Sequence, residues 1–388
     1  MCPLKVPSRG FSRSNCPGHK NAFIPTLTSL LVVPRHRKGQ RSRRVAQTAQ
    51  TKSVLQDLLT SKEPSIRWKA RVHVLGEDRD SKRIRALEEE IRKSPKVRAL
   101  LSRRHELGKS GTARKVYYKW QGVHWVLASL ADLGYPREDS SLHAIRDRVF
   151  EFWLRPNFFR EFEADTEAEA YRGEGVPMIR GRARRCASQQ GNALCSLTTL
   201  GLADERADAL VERLLHWQWP DGGWNCDRHP KADTSSFMET RLPMLGLAAH
   251  ARDHPSSEVS RAVERASEVF LRRRLFRRAT TGQIIHRDFV TLHYPLYWHY
   301  DILGGLKAMA CIGRIRDPRC SEALDLLGSK RLPDGGWPAQ RRFYKVRPTT
   351  FEANSDYVDW GGTGSRRMNE WVTVDALAVL RSAGRLDL

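Results

Sequence analysis

The chain has 388 residues, 40% of them hydrophobic and 29% charged, with a mean hydropathy of −0.56, so it can bury a large core in one big domain or two ordinary ones. Its longest apolar run, Ile24 to Val33, is broken by Pro25 and two threonines, and falls short of the ~20 residues a membrane-spanning helix needs. The net charge of +23 is confined to the front: residues 1–120 hold 29 basic and nine acidic side chains, whereas residues 121–388 hold 38 and 35, which leaves no polyanion signature on the bulk of the chain.

Residues 1–50 contain ten Lys and Arg, no acid and no amphipathic period, ending in the run from Arg35 to Arg44. This composition predicts a disordered basic tail, with a transit peptide or a nucleic-acid-binding arm as alternatives. Regular patterning begins near Val54, where Val54, Leu55, Leu58 and Leu59 share a helical face. A second helix is expected from Glu63-Pro64-Ser65 and a third over Lys82 to Arg92, so residues 51–115 read as a small helical lead-in.

From residue 116 to 388 the texture is different. Apolar residues recur at i, i+3, i+4 and i+7 in segments that close on glycine: His124 to Gly134, Gln190 to Gly201, Tyr300 to Gly313 and Val372 to Gly384. Phe237 to Ala249 has the same pattern without a closing glycine. Between them lie helices with one polar face, Arg206 to Trp217, Glu258 to Leu271 and Pro318 to Leu327. Helix pairs repeating every ~50–70 residues, with almost no strand texture, predict an all-α repeat architecture.

Two turns punctuate the repeats: Gln218-Trp219-Pro220-Asp221-Gly222-Gly223-Trp224, and Pro333-Asp334-Gly335-Gly336-Trp337 lying 113 residues later. Asp-Gly-Gly demands positive φ, and each Trp is expected to drop back as an apolar plug between neighbouring helix pairs. The first copy matches Gln-x3-Gly-x-Trp, and the second has Arg331 in place of Gln218. On these turns residues 116–388 resemble the terpenoid cyclase and protein prenyltransferase superfamily, squalene cyclases among them. The resemblance implies an α/α toroid of inner and outer helices, and an enzyme acting on an isoprenoid or similar apolar substrate in a central cavity.

The family's acid motif, Asp-x-Asp-Asp, does not occur here; Ala232-Asp233-Thr234-Ser235-Ser236 is the nearest match, and Asp-Asp-x-x-Asp is also absent. Cys226-Asp227 reverses the order of the prenyltransferase Asp-x-Cys zinc pair, with His299 as the third ligand that pattern would require, so neither metal nor cofactor is expected. Polar and aromatic residues instead cluster at the entrances of the inner helices. Asp301, His299, Glu239 and Asp227 are the catalytic candidates, Asp301 and Glu239 forming a mutual carboxyl pair on one rim. Tyr294, Trp298, Tyr300, Trp371, Glu370 and Gln190 are candidate substrate-binding residues, since aromatic faces stabilise carbocations. Arg185, Arg366 and Arg367 could bind phosphate, the latter two beside Gly361-Gly362-Thr363-Gly364. Each segment separately is also what helix caps and gap-filling aromatics look like.

Two other functions fit the same residues: a glycan-processing (α/α) barrel working with paired carboxylates, and a non-catalytic toroid binding lipid or protein. The expected partner is an apolar small molecule; no nucleic acid is expected at the folded domain, and peripheral membrane contact is allowed. Seven scattered cysteines predict reduced thiols and a cytoplasmic protein.

Overall fold

The computed structural model describes residues 37–102 and 116–387. They are mainly helical, as an all-α chain should be. The chain divides into two units at Arg44/Val45. Of the first, only the helical stretch from Arg37 is described; the remainder of the region read as a tail, residues 1–36, lies outside the described residues. Helix α1 runs Arg37–Leu59, so helix begins well ahead of residue 51. Its first half has no amphipathic period, but arginine, lysine, glutamine and alanine are good helix formers.

In the second unit one set of helices is apolar through most of its turns. It comprises α2 (Pro64–Lys69), which continues into a π-helical turn over Ala70–Leu75, then α5 (Val123–Leu133), α8 (Ala187–Thr199), α10 (Phe237–Asp253), α12 (Ile302–Cys311) and α14 (Glu370–Ser382). Except for α10 they close on left-handed glycines: Gly76, Gly134, Gly201, Gly313 and Gly384, with φ between 66° and 77°. Only glycine adopts that conformation without cost, which is why the spacing was readable. Gly76 extends the series into the lead-in region.

A second, amphipathic set alternates with the first: α3 (Lys82–Arg92), α6 (His143–Trp153), α9 (Arg206–His216), α11 (Ser257–Leu271) and α13 (Ser321–Ser329). Each packs on the apolar helix that precedes it. The apolar helices also pack on one another in chain order, α2 on α5, α5 on α8, α8 on α10, α10 on α12 and α12 on α14; α14 then packs on α2 and its π-helical turn. Helices α8 and α10 approach so closely that a Cβ at Gly191 would stand 2.4 Å from Pro243 Cα. Val54, Ile66 and Ile84 share one hydrophobic core with Leu197, Leu247 and Leu377, so the lead-in helices belong to the same packed body.

The remaining elements are small. Helix α4 (Pro95–Leu101) follows α3, and α7 (Glu167–Arg172) opens with a Thr166/Glu169 capping box. Strands β1 (Glu161–Glu163), β2 (Val176–Ile179) and β3 (Arg182–Ala183) form one sheet, parallel then antiparallel; β4 (Lys345–Val346) pairs in parallel with β5 (Ser355–Asp356). Among the described residues no helix is long and apolar enough to cross a membrane.

The two Asp-Gly-Gly-Trp turns are built alike. Trp224 Nε1 donates to Leu214 O at 2.9 Å and Trp337 Nε1 to Leu327 O at 2.8 Å, each the carbonyl ten residues earlier. Both rings are buried. The backbone N–H of each Trp donates to a threonine in the next apolar helix, Thr240 at 3.2 Å and Thr373 at 2.8 Å. Each Trp, through its indole and its backbone N–H, therefore ties an amphipathic helix to the apolar helix that follows it.

Candidate functional site

The apolar helices enclose a cavity of about 320 Å³, at the small end of small-molecule sites. Helices α5, α8, α10, α12 and α14 and the segment from His293 to Tyr297 line it. Most of its wall is apolar, with Trp125, Leu242, Leu245, Tyr294, Tyr297 and Trp360 the large contributors.

Asp132, Lys307 and Asp375 bring charge to the lining beside Arg241 and Arg252, and Lys69 stands behind them. Lys69 closes α2, Asp132 lies in the last turn of α5, Lys307 in the middle of α12, and Asp375 in the second turn of α14. Lys69 Nζ is 2.8 Å from Asp132 and 3.2 Å from Asp375; Lys307 Nζ is 2.5 Å from Asp375 and 3.5 Å from Asp132. Tyr294 donates its hydroxyl to Asp132 at 2.7 Å. Lys69 is almost fully buried, while Asp132 and Lys307 keep 41% and 37% of their side-chain surface open, and both line the cavity.

Unpaired, these charges would cost several kcal/mol each to bury. Burial alone would push the Asp132 carboxyl up, but Lys69 and Lys307 outweigh it and hold the group well below the ordinary carboxylate range. Burial likewise opposes the Lys307 ammonium, and Asp375 and Asp132 outweigh that, raising it above its ordinary value. Asp132 and Lys307 therefore stay ionised at neutral pH.

The aromatic wall is rigid. Tyr294 stacks on Trp371 with ring centres 5.1 Å apart and planes at 8°, and Tyr297 stacks on Trp120 at 4.0 Å and 7°. Tyr297 has left-handed backbone (φ 50°), which a non-glycine residue holds only when its surroundings over-determine it. Here the stack does so, together with a 2.5 Å hydrogen bond from its hydroxyl to Asp356. Trp360 Nε1 donates to the same carboxylate oxygen at 2.8 Å. Burial raises the Asp356 carboxyl, and these donors only partly offset that.

Of the residues singled out in the sequence, Tyr294 lines this cavity and Trp371 backs it through the stack. The four catalytic candidates do not line it. Asp301 is fully buried as the cap of α12, accepting from Gly304 N and His293 N at 2.8 Å each. His299 stacks on Phe343 and hydrogen-bonds through Nδ1 with Leu296 O; burial lowers it to about 3. Glu239, buried in the first turn of α10, accepts from Ser188 N at 3.0 Å and from Cys226 Sγ at 3.4 Å. Asp227 is exposed in a turn, accepting from His229 N. Asp301 and Glu239 thus keep separate partners rather than each other.

The other candidates are dispersed. Tyr300 donates to Leu275 O and packs among Phe237, Phe270 and Phe289. Trp298 has Lys119 4.9 Å from its ring centre, and Gln190 is buried with its amide toward Trp153 O. Glu370 is the half-buried first residue of α14. Arg185 lies on Phe158 at 4.3 Å, whereas Arg366 and Arg367 sit in an exposed loop before α14.

Sequence reasoning missed Lys69, Asp132, Lys307 and Asp375. A usable signal was there: one charged residue inside an apolar helix, as in Ile302-Leu303-Gly304-Gly305-Leu306-Lys307-Ala308-Met309, is costly unless a partner neutralises it. The described residues also contain one grouping able to hold a metal ion, Cys186, Cys226 and Glu239.

No known protein family, curated protein or solved structure matches this chain.

Proposed function

We propose that residues 45–388 form an α/α toroid, and that its central cavity binds an apolar, isoprenoid-like chain as the substrate of a terpenoid cyclase- or prenyltransferase-like enzyme. The packing order supports the toroid: the apolar helices contact one another in sequence and α14 returns to α2. One observation carries the functional reading, an apolar cavity walled by Trp125, Tyr294, Tyr297 and Trp360 with its carboxylates already paired to lysines. Apolar walls of this kind bury a hydrocarbon, and aromatic faces stabilise a developing cation. The mainly apolar accessible surface of this wall suits a hydrocarbon better than a sugar.

Asp132 is held ionised and is a weak base, so in this reading it acts electrostatically and not as an alkene-protonating acid. The test is mass spectrometry of lipid extracted from the purified chain, followed by titration with farnesol. Ala308→Trp fills the cavity from α12 and should weaken farnesol binding at least tenfold while leaving the helical circular dichroism unchanged. Farnesol binding that Ala308→Trp does not affect, or retention of oligosaccharide and no lipid, would overturn the proposal. Binding without turnover of any isoprenoid would leave the non-catalytic toroid.

A further inference from the structure

Three separate pieces of chain bring two thiols and a carboxylate together outside the central cavity. Cys186 stands at the N-terminus of α8, Cys226 in the loop that follows Trp224, and Glu239 in the first turn of α10. One donor atom from each lies within 4.8 Å of the other two. The cysteines carry no disulfide. We propose that Cys186, Cys226 and Glu239 bind a single divalent transition-metal ion, zinc by the character of the donors.

The donor set decides the metal. Two thiolates select a soft or borderline cation and disfavour magnesium or calcium, and a third, oxygen ligand is common at zinc. Three protein ligands leave the fourth tetrahedral position open to water or substrate, the pattern of reactive zinc and not of structural zinc. Donor atoms on a tetrahedral zinc lie about 3.3–3.8 Å apart at ordinary bond lengths. Cys226 Sγ and Glu239 Oε1 already stand 3.4 Å apart, so closing round an ion needs a contraction of no more than about 1.3 Å elsewhere.

The supports are rigid. Trp224 N donates to Thr240 Oγ1 and Ser236 N to Trp224 O, which ties the Cys226 loop to the same helix that carries Glu239. Ser188 N donates to Glu239 Oε2 at 3.0 Å and leaves Oε1 toward Cys226, an outer hydrogen bond of the kind that orients a metal carboxylate. Arg185 adjoins the cluster and feels the charges of Cys186, Glu239 and Cys226. Two thiolates and a carboxylate carry −3; a divalent ion and Arg185 balance it.

This is not the ligand set that the Cys226-Asp227 sequence suggested. Asp227 turns outward onto His229 N, and His299 is engaged with Phe343 and Leu296.

The experiment uses the full chain, purified without chelator. Elemental analysis should find about one zinc per chain, and apoprotein titrated with Co²⁺ should show a thiolate-to-cobalt charge-transfer band. Cys186→Ser and Cys226→Ser should each diminish that band and weaken Zn²⁺ binding about 100-fold, and Glu239→Gln about tenfold. If the cysteine variants do not fold, Zn²⁺ should protect two thiols of the native wild-type chain from a thiol reagent. Absence of zinc together with Co²⁺ uptake lacking the charge-transfer band would overturn the site. So would equal Zn²⁺ affinity in Cys226→Ser and wild type, or a Cys186–Cys226 disulfide in the protein purified from a reducing cytoplasm.

Discussion

Arg331 and Gln218 make the same hydrogen bond from different chemistry. Gln218 Nε2 donates to Gly222 O at 2.7 Å and Arg331 Nε donates to Gly335 O at 2.8 Å, each closing the turn four residues ahead. Both also reach across to a neighbouring helix, Gln218 to Ala262 O on α11 and Arg331 to Thr51 on α1. The substitution that interrupts the sequence motif therefore leaves its geometry intact, and α1 stands to the second turn as α11 stands to the first.

Trp224→Ala and Trp337→Ala should each cost about 3–5 kcal/mol, since each removes a buried ring and its hydrogen bond to the preceding amphipathic helix. Arg331→Gln should stay within about 0.5 kcal/mol of wild type, because glutamine supplies the same donor at the first position. Denaturant unfolding of the three variants measures both. A loss on Arg331→Gln as large as on Trp337→Ala would mean that the contact to Thr51, and not the turn bond, holds this corner.

Lys69→Met should destabilise the chain by about 3–5 kcal/mol, because it leaves Asp132 and Asp375 to share Lys307. Adding Asp375→Leu removes the stranded charge and should restore a measurable part of the loss. A double-mutant cycle reads this directly: strictly additive effects would show that the two residues are not coupled.

Two histidines, His124 buried and His299 half-buried, make the fold sensitive to mild acid. Burial holds His124 at about 3, and burial with Lys119, His293 and Arg241 nearby holds His299 at about 3. Unfolded, each takes up its proton near pH 6.5. Below that pH the unfolded state binds protons that the folded state refuses, so stability falls by about 1.4 kcal/mol per pH unit for each ring, down to pH ~3. His124 Nδ1 accepts from Trp153 Nε1 at 3.2 Å, and its Nε2 lies 3.1 Å from Asn192 Nδ2. Thermal melts from pH 7.5 to 5 should show the decline beginning near pH 6.5, and His124→Gln should make it shallower. A melting temperature constant over that range would refute the assignment.

Asp139 titrates in the opposite sense. Burial pushes its carboxyl up, but donors from Tyr135, Ser141 N and Arg92 outweigh that and bring it down to about 2. The bonus of roughly 2 kcal/mol is complete above pH ~4 and disappears as the pH falls through about 2. Asp139→Asn should accordingly cost about 2 kcal/mol at pH 7 and almost nothing near pH 2. The comparison is best made by urea unfolding at both pH values.

Helix positions and the repeat were legible in the sequence because both rest on local chemistry. Apolar spacing marks a helix face, a left-handed glycine marks its end, and Asp-Gly-Gly-Trp marks the turn; Lys82 to Arg92 and the segment from Phe237 were located to within a few residues of their observed ends. The roles of the entrance residues were not legible, since Asp301 as cap and Asp301 as acid present the same letters, and only burial beneath His293 and Gly304 separates them.

What the sequence determined by itself is the set of helices, their apolar faces and the two tryptophan turns that join them. Tertiary structure alone decided which charges meet. Lys69 and Asp375 are 306 residues apart, and Cys186 and Glu239 are 53 apart with a whole helix between them. A helical period says which way a side chain faces, never which side chain faces it. That depends on the order in which the apolar helices pack, and on α14 coming back to α2, where a lysine that would be too costly to bury unpaired finds two carboxylates.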